Sequence, residues 1–211
     1  MMGAERLHAS DIAFTPAVKA IQSLHGSRAA YQRMEDGAGW QKEITEELAN
    51  FIGMQTSMFL ATANAEGQPY IQHRGGPPGF LQVLDNKTIA FADFAGNRQY
   101  ITIGNLSENA KAHMFLIDYA QQLRIKIWGE ARVVEDDIEL ITRLQPENYK
   151  ARVERAIVFT VLAWDANCKQ HIPQRFDAGD VVAALEERDR RIQTLETEVQ
   201  RLREEIVSSR L

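Results

Sequence analysis

A chain of 211 residues has room for one domain with an appendage, or for two very small domains. With 45% hydrophobic and 25% charged residues it can build a globular core, and a net charge of −5 leaves no global basic field for nucleic acid. No apolar run approaches the roughly eighteen residues of a membrane span, and Met1-Met2-Gly3-Ala4-Glu5-Arg6 lacks the apolar block of a signal peptide.

Residues 1 to about 55 read as mostly helical. Thr15-Pro16 is an N-cap followed by proline at the first helical position, and Val18, Ile21 and Leu24 then fall on one face before Gly26. Ser27 is placed to cap a second helix through Tyr31 and Met34, ending near Gly37. The pattern predicts a third helix from about Trp40 to Gly53, with Ile44, Leu48, Phe51 and Ile52 on its apolar side.

From Ser57 the period changes to that of strands. Met58 to Thr62 is a short apolar run, Asn64-Ala65-Glu66-Gly67 is a turn, and Pro69 to His73 is the returning strand. Phe80 to Leu84 and Thr88 to Phe91 form another hairpin around Asp85-Asn86-Lys87. A helix over Arg98 to Leu106 precedes a strand over Ala112 to Ile117. Gln122 to Val134 alternates, with Leu123, Ile125 and Ile127 on one side and Arg124, Lys126 and Trp128 on the other. Asp136 to Leu144 reads as a short helix. Ile157 to Trp164 is apolar on both faces, as in a central or interface strand. Close-spaced strands with short helical insertions predict an antiparallel barrel rather than a doubly wound sheet.

The tail from about Val181 differs. Leu185, Ile192, Val199 and Ile206 are spaced by seven, with Val181, Leu195 and Leu202 at the complementary position. β-branched residues mainly at a and leucine mainly at d favour a parallel dimeric coiled coil. In such a pair Arg191 meets Glu196 of the second copy, and Glu198 meets Arg203. Arg188 and Ser209 interrupt the d positions. The competing reading is an amphipathic helix packed on its own domain.

The chemistry-bearing residues are few. Cys168 is the only cysteine, which excludes an intrachain disulfide and points to a reducing compartment, the cytoplasm. Lys169 and His171 lie close enough to lower its pKa, although a lone cysteine is commonly just a small residue. None of His8, His25, His73, His113 and His171 forms a pair at metal-ligand spacing, so no metal site is expected. There is no nucleophile elbow, Walker sequence or dinucleotide fingerprint. What remains is His73-Arg74-Gly75-Gly76-Pro77-Pro78-Gly79-Phe80, and about twenty residues on, Gly96-Asn97-Arg98. Glycine lets backbone N–H groups approach an anion, and arginine supplies a permanent bidentate charge. Arg98 also sits near an expected helix start, where free N–H groups favour an anion. Two such clusters can build a phosphate pocket, or they can be a loop with surface charges. Arg124 and Lys126 on the long strand add to the pocket or are a solvated face.

Met58 to Thr62 with Gly67-Gln68-Pro69, Arg74-Gly75-Gly76 through Gly79-Phe80, Phe94-Ala95-Gly96-Asn97-Arg98 and Gly104-Asn105 resemble the pyridoxamine 5′-phosphate oxidase-like FMN-binding split-barrel family, in the branch with an RGG-P-GF and GNR pattern. The resemblance covers roughly residues 40 to 176, with Leu123 to Val133 similar to the family's long central strand. It implies a six-stranded antiparallel split β-barrel over residues 56–176; with the helical patterns read on either side, the expected fold is mainly β with α additions, an N-terminal helical segment over 1–55 packed on the barrel and a C-terminal coiled-coil helix over 181–208. It also implies a homodimer with FMN in the interface cleft and a small-molecule substrate. Arg74, Gly75, Asn97 and Arg98 are the implied phosphate and ribityl contacts, with Arg124 and Lys126 beside the flavin and Trp164, Gln174 and Arg175 reaching it from the second copy. The implied activity is FMN-dependent oxidoreduction by hydride transfer at the flavin N5, with no obligatory side-chain acid or base. His73 and His171 are minor candidates for substrate contact. The Arg-x-x-x-Leu-Lys-like strand of the vitamin oxidases and their Arg-Leu-His motif near the C-terminus are absent, so no vitamin-phosphate substrate is implied. A deazaflavin or haem on the same barrel, or a non-catalytic flavin- or haem-binding regulatory or storage dimer, is the alternative.

Overall fold

The computed structural model describes residues 8–167 and 169–209; Cys168 and the extreme N-terminal stretch read above lie outside the described residues. The chain divides into two compact units, one of residues 8–118 and 123–170 and one of residues 119–122 and 171–209.

The first unit opens with a 3-10 turn, Ala9–Ile12, and three helices: α1 (Pro16–Leu24), α2 (Arg28–Asp36) and α3 (Glu46–Met54). Thr15 and Thr45 cap α1 and α3, their hydroxyls accepting from Val18 N at 3.3 Å and Leu48 N at 3.2 Å. Two expectations fail here. Ser27 is already in helical backbone and makes no cap; its hydroxyl instead donates to Gln22 O at 3.4 Å. The third helix starts at Glu46 rather than Trp40, because the preceding residues run extended beside other strands. Gln41 exchanges backbone hydrogen bonds with Trp164 at 3.3 and 2.9 Å, and Ile44 N donates to Asn86 O at 2.7 Å. The Val18–Ile21–Leu24 face of α1 is exposed, whereas Gln22 is buried and accepts from Arg28 at 2.6 Å. Glu35, also buried, accepts from Ser10 at 2.8 Å and pairs with Arg28.

Seven strands follow: β1 (Ser57–Ala63), β2 (Pro69–Gly75), β3 (Leu81–Asp85), β4 (Thr88–Phe94), β5 (Lys111–Asp118), β6 (Leu123–Val134) and β7 (Val153–Asn167). Helix α4 (Ile101–Glu108) lies between β4 and β5, and α5 (Ile138–Arg143) between β6 and β7. All neighbouring strands are antiparallel, in the order β2-β1-β5-β6-β7-β4-β3. The family likeness implied six strands; every alternating run between turns finds a partner, so the sheet has seven.

The sheet curls around one core. Met58 and Leu60 of β1 share it with Leu81 of β3, Phe91 of β4 and Ile127 of β6, although β1 and β3 are far apart in strand order. Leu48 and Ile52 of α3 fill the same interior. The fold is a mainly β split barrel with added helices. A second apolar cluster on the outside, including Ala90, Val134, Leu144 and Val158, is covered by Leu140 and Ile141 of α5. That second layer is why β7 is apolar on both faces.

Two glycines are required by close approach. At Gly129, beside the β6 bulge, a Cβ would lie 2.1 Å from Thr160 O. At Gly76 it would lie 2.6 Å from Phe80 Cβ. The Gly-Gly-Pro-Pro-Gly turn therefore seats Phe80, which is buried in the core.

In the second unit, Gln122 Nε2 donates to Ile172 O at 2.6 Å, and α6 (Ala178–Ser208) forms one uninterrupted helix with no buried residue. It begins three residues before the expected Val181.

Candidate functional site

Arg74 is the inward residue near the end of β2, flanked by outward His73 and preceded by inward Gln72 and Tyr70. Across the curled sheet, Asp93 projects from β4 and takes the Arg74 guanidinium in an ion pair. Asp93 stands directly opposite Arg155 of β7, whose Nη1 lies 3.5 Å from Asp93 Oδ2. Arg155 continues the network: its Nη2 is 3.4 Å from Glu154, and Arg152 is 3.3 Å from the same carboxylate. Its Nε lies 3.0 Å from Glu135 without the alignment of a hydrogen bond. Burying one carboxylate between two guanidiniums is tolerable because each charge is compensated.

Arg74, Asp93 and Glu154, with Tyr70 and Gln72, line one side of a cavity of about 180 Å³. The other side is the loop Gly96 to Tyr100 and the start of α4. The loop is strained: Arg98 and Tyr100 hold left-handed backbone at φ 58° and 55°. Asn97 fixes it by accepting from Gln99 N at 3.2 Å. Arg155 packs its guanidinium 5.4 Å from the centroid of Tyr100, the N-cap residue of α4. No side chain caps this helix, so its first N–H groups and the positive end of its dipole face the cavity. Thr102 in the first turn is tied to β2, its hydroxyl donating to Gln72 Oε1 at 3.1 Å. Alternating left-handed residues ahead of a helix start make an anion-binding concavity.

Arg74 Nε is buried without a hydrogen-bond partner. Arg98 is exposed at the cavity rim and makes no ion pair with the described residues. Asp93 and Glu154 balance Arg74 and Arg98 formally; Arg152 and Arg155 behind them, set against Glu135, leave one net positive charge. An oxyanion entering here would meet a guanidinium edge, free helix N–H groups and an exposed rim arginine. The volume is below the roughly 300–1,000 Å³ of a complete small-molecule pocket, so it suits the anionic end of a larger ligand.

Arg74, Asn97 and Arg98 are thus brought together. Gly75 sits beside them but does not line the cavity; a Cβ there would meet Thr56 O at 3.1 Å. Arg124 and Lys126 stand on the outer face of β6, away from this cavity. Lys126 Nζ is 3.3 Å from Asp165 and lies 5.6 and 5.3 Å from the ring centroids of Trp40 and Trp128, which stack at 4.5 Å. His113 packs edge-on against Trp128, and burial, with the Lys126 charge second, pushes its imidazole down to about 4. Trp164 packs against the core and donates from Nε1 to Glu43 O at 2.8 Å. Within the second unit, Gln174 Nε2 donates to Ala120 O at 2.9 Å and Arg175 packs 4.6 Å from the centroid of Tyr119. His171 belongs to the same unit, and His73 points to the outer face beside Phe59.

Asp93, Arg155 and Tyr100 were not among the sequence candidates. A lone carboxylate within Ile89-Ala90-Phe91-Ala92-Asp93-Phe94 is the available signal, since a charge in an apolar strand needs a partner.

Among solved structures, the HupZ protein of Group A Streptococcus is 20% identical with a TM-score of 0.46, covering 63% of this chain and 99% of its own. An FMN-binding protein from Syntrophomonas wolfei is 18% identical at a TM-score of 0.43, covering 69% and 97%. A protein related to general stress protein 26 from Clostridium acetobutylicum is 14% identical at 0.44, covering 64% and 94%. No curated protein matches the sequence. Residues 44–168, more than half of the chain, match the family described as Pyridoxamine 5'-phosphate oxidase. This stretch holds all seven strands, Arg74, the Asn97–Arg98 loop and the start of α4, and the chain belongs to that family.

Proposed function

We propose that the chain is an FMN-dependent oxidoreductase acting on a small molecule, and that the cavity between β2 and α4 takes the FMN phosphate. The observation that carries this reading is Arg74, which lines a cavity at an uncapped helix start with its Nε buried and unpartnered. Arg74 and Arg98 would clamp the phosphate, with Asn97 holding the loop and Gln72 and Thr102 offering polar contacts to the ribityl chain. Asp93 would keep the Arg74 guanidinium in place before the cofactor arrives. When bound, FMN supplies reversible hydride exchange at its N5 position, so the protein's share is binding, orientation and exclusion of water. No side-chain acid or base is assigned.

The flavin ring exceeds this cavity and would extend beyond it. A second copy of the chain supplies the remaining wall in this reading, as the family likeness implies. The outer faces of β1, β2 and β5 present Phe59, Ile71 and Phe115 for that contact, with Arg124 and Lys126 on neighbouring β6.

The protein as purified, or after incubation with FMN, should be yellow and show flavin absorbance. Arg98→Ala should weaken FMN binding without unfolding the barrel, because Arg98 is exposed and makes no ion pair with the described residues. Arg74→Lys should weaken it further, since lysine retains charge but not the fork. Reduction of the bound flavin by NADH or NADPH and its reoxidation by candidate acceptors separates turnover from storage. Colourless protein that takes up no added FMN overturns the reading.

A further inference from the structure

We infer that α6 is a self-association element: it pairs with α6 of a second copy as a parallel, in-register coiled coil. A helix of 31 residues with none buried lacks the tertiary packing that sustains most protein helices. Its apolar residues are not scattered. The a and d positions from Val181 to Ile206 form one stripe, and the apolar members are each 42–53% exposed. A stripe with a seven-residue period suits a neighbouring helix rather than a flat surface, because only the supercoil keeps it facing its partner.

The charges identify the occupant. Residues away from the stripe pair within the helix: Arg190 with Glu187 at 2.6 Å, and Gln200 with Glu204 at 2.7 Å. Of the residues bordering the stripe, Glu205 pairs with Arg201 of the same helix, but the four that would meet across a parallel pair do not. Arg191, Glu196, Glu198 and Arg203 make no ion pair with the described residues. In a parallel pair of identical helices, each g residue meets the e residue five positions on: Arg191 meets Glu196 of the other copy and Glu198 meets Arg203. Each contact occurs twice by symmetry, and all four are attractive. Arg188, the one charged residue at a d position, would face Arg188 of the second copy, so that layer weakens the pair and the apolar layers from Ile192 to Ile206 carry it.

The test uses the full chain carrying Cys168→Ser, so that the introduced thiol is the only one. Leu202→Cys places a thiol at a d position near one end of the helix. A parallel in-register pair brings it against its own counterpart, and mild oxidation should convert most of the chain to a covalent dimer. Gln200→Cys, on the outer face, should give little. Adding Arg191→Glu should reduce the Leu202→Cys dimer, and Arg191→Glu with Glu196→Arg should restore it. No dimer from Leu202→Cys while helical circular dichroism is retained overturns the proposal. So does dimer formation only when Leu185→Cys and Leu202→Cys chains are mixed, which marks an antiparallel pair. Equal dimer from the outer-face control also overturns it, as random collision. Thermal unfolding of the two charge variants without new thiols gives a second measure: no loss with Arg191→Glu, or no recovery in the double variant, counts against the coil.

Discussion

Asp93→Asn removes the one carboxylate that holds Arg74 and faces Arg155. The side chains of Asp93, Arg74 and Arg155 are 9%, 15% and 12% exposed, so water cannot fully replace the lost partner. Breaking a buried pair by removing one member costs about 3–5 kcal/mol. The low end, about 3 kcal/mol, applies here because asparagine keeps one acceptor oxygen and Arg155 retains Glu154. For a chain of this size that lowers the melting temperature by roughly 6–12 °C. The loss should be unequal between the two arginines. Asp93 is Arg74's only ion-pair partner among the described residues, whereas Arg155 also contacts Glu154 and Glu135. A double-mutant cycle should therefore give a coupling of about 2 kcal/mol between Asp93→Asn and Arg74→Gln, and a smaller one with Arg155→Gln. Urea unfolding followed by tryptophan fluorescence is the assay. Trp40, Trp128 and Trp164 all belong to the first unit, so the signal reports on the barrel and not on α6. A loss below about 1 kcal/mol, or equal coupling to both arginines, would refute the assignment of Asp93 as the holder of Arg74.

Two further outcomes follow from geometry and charge. Gly76→Ala should destabilise by about 1–3 kcal/mol, because the new Cβ meets Phe80 Cβ at 2.6 Å and neither atom can move without shifting the backbone. Gly53→Ala, in helical α3 with no heavy atom within 4 Å, should instead be neutral or stabilising, and urea midpoints of the two variants compare them directly. His113, ordinarily near 6.5, is held down to about 4, so it stays neutral in the folded chain while the unfolded chain takes up a proton. Its contribution is complete above pH 6.5 and falls away as pH drops toward 4, so stability should decline more steeply over that window in the natural chain than in His113→Asn. Urea midpoints measured at pH 7, 6, 5 and 4.5 check this.

Local signals were legible where local physics decides. The Thr15 cap, the Asn64–Gly67 turn and the two-sided apolar run of β7 follow from residues within a few positions of one another. The strand ends were not. The sequence reading stopped β4 at Phe91 and began β7 at Ile157, which left Asp93 and Arg155 outside both strands, although they stand opposite each other in the sheet. A charge ends an apolar pattern unless its partner is known, and the partner is 62 residues away. Trp40 was assigned to a helix for the same reason: its stacking on Trp128 is a long-range contact. At the candidate site, Arg74 and Arg98 were visible as cations near glycine. The glycines themselves serve another purpose, since Gly76 makes room for Phe80.

The extended residues before α3 also bear on how the barrel behaves in concentrated solution. β4 pairs with β7 only as far as Thr160, so beyond it one side of β7 carries backbone donors and acceptors that no barrel strand takes up. Gln41 occupies that side at Trp164, and Glu43 O accepts from the indole. The segment thus acts as a short protecting strand against pairing by another chain. Its removal would leave the cavity between β2 and α4 intact and uncover a β edge, so the loss would appear first in solubility.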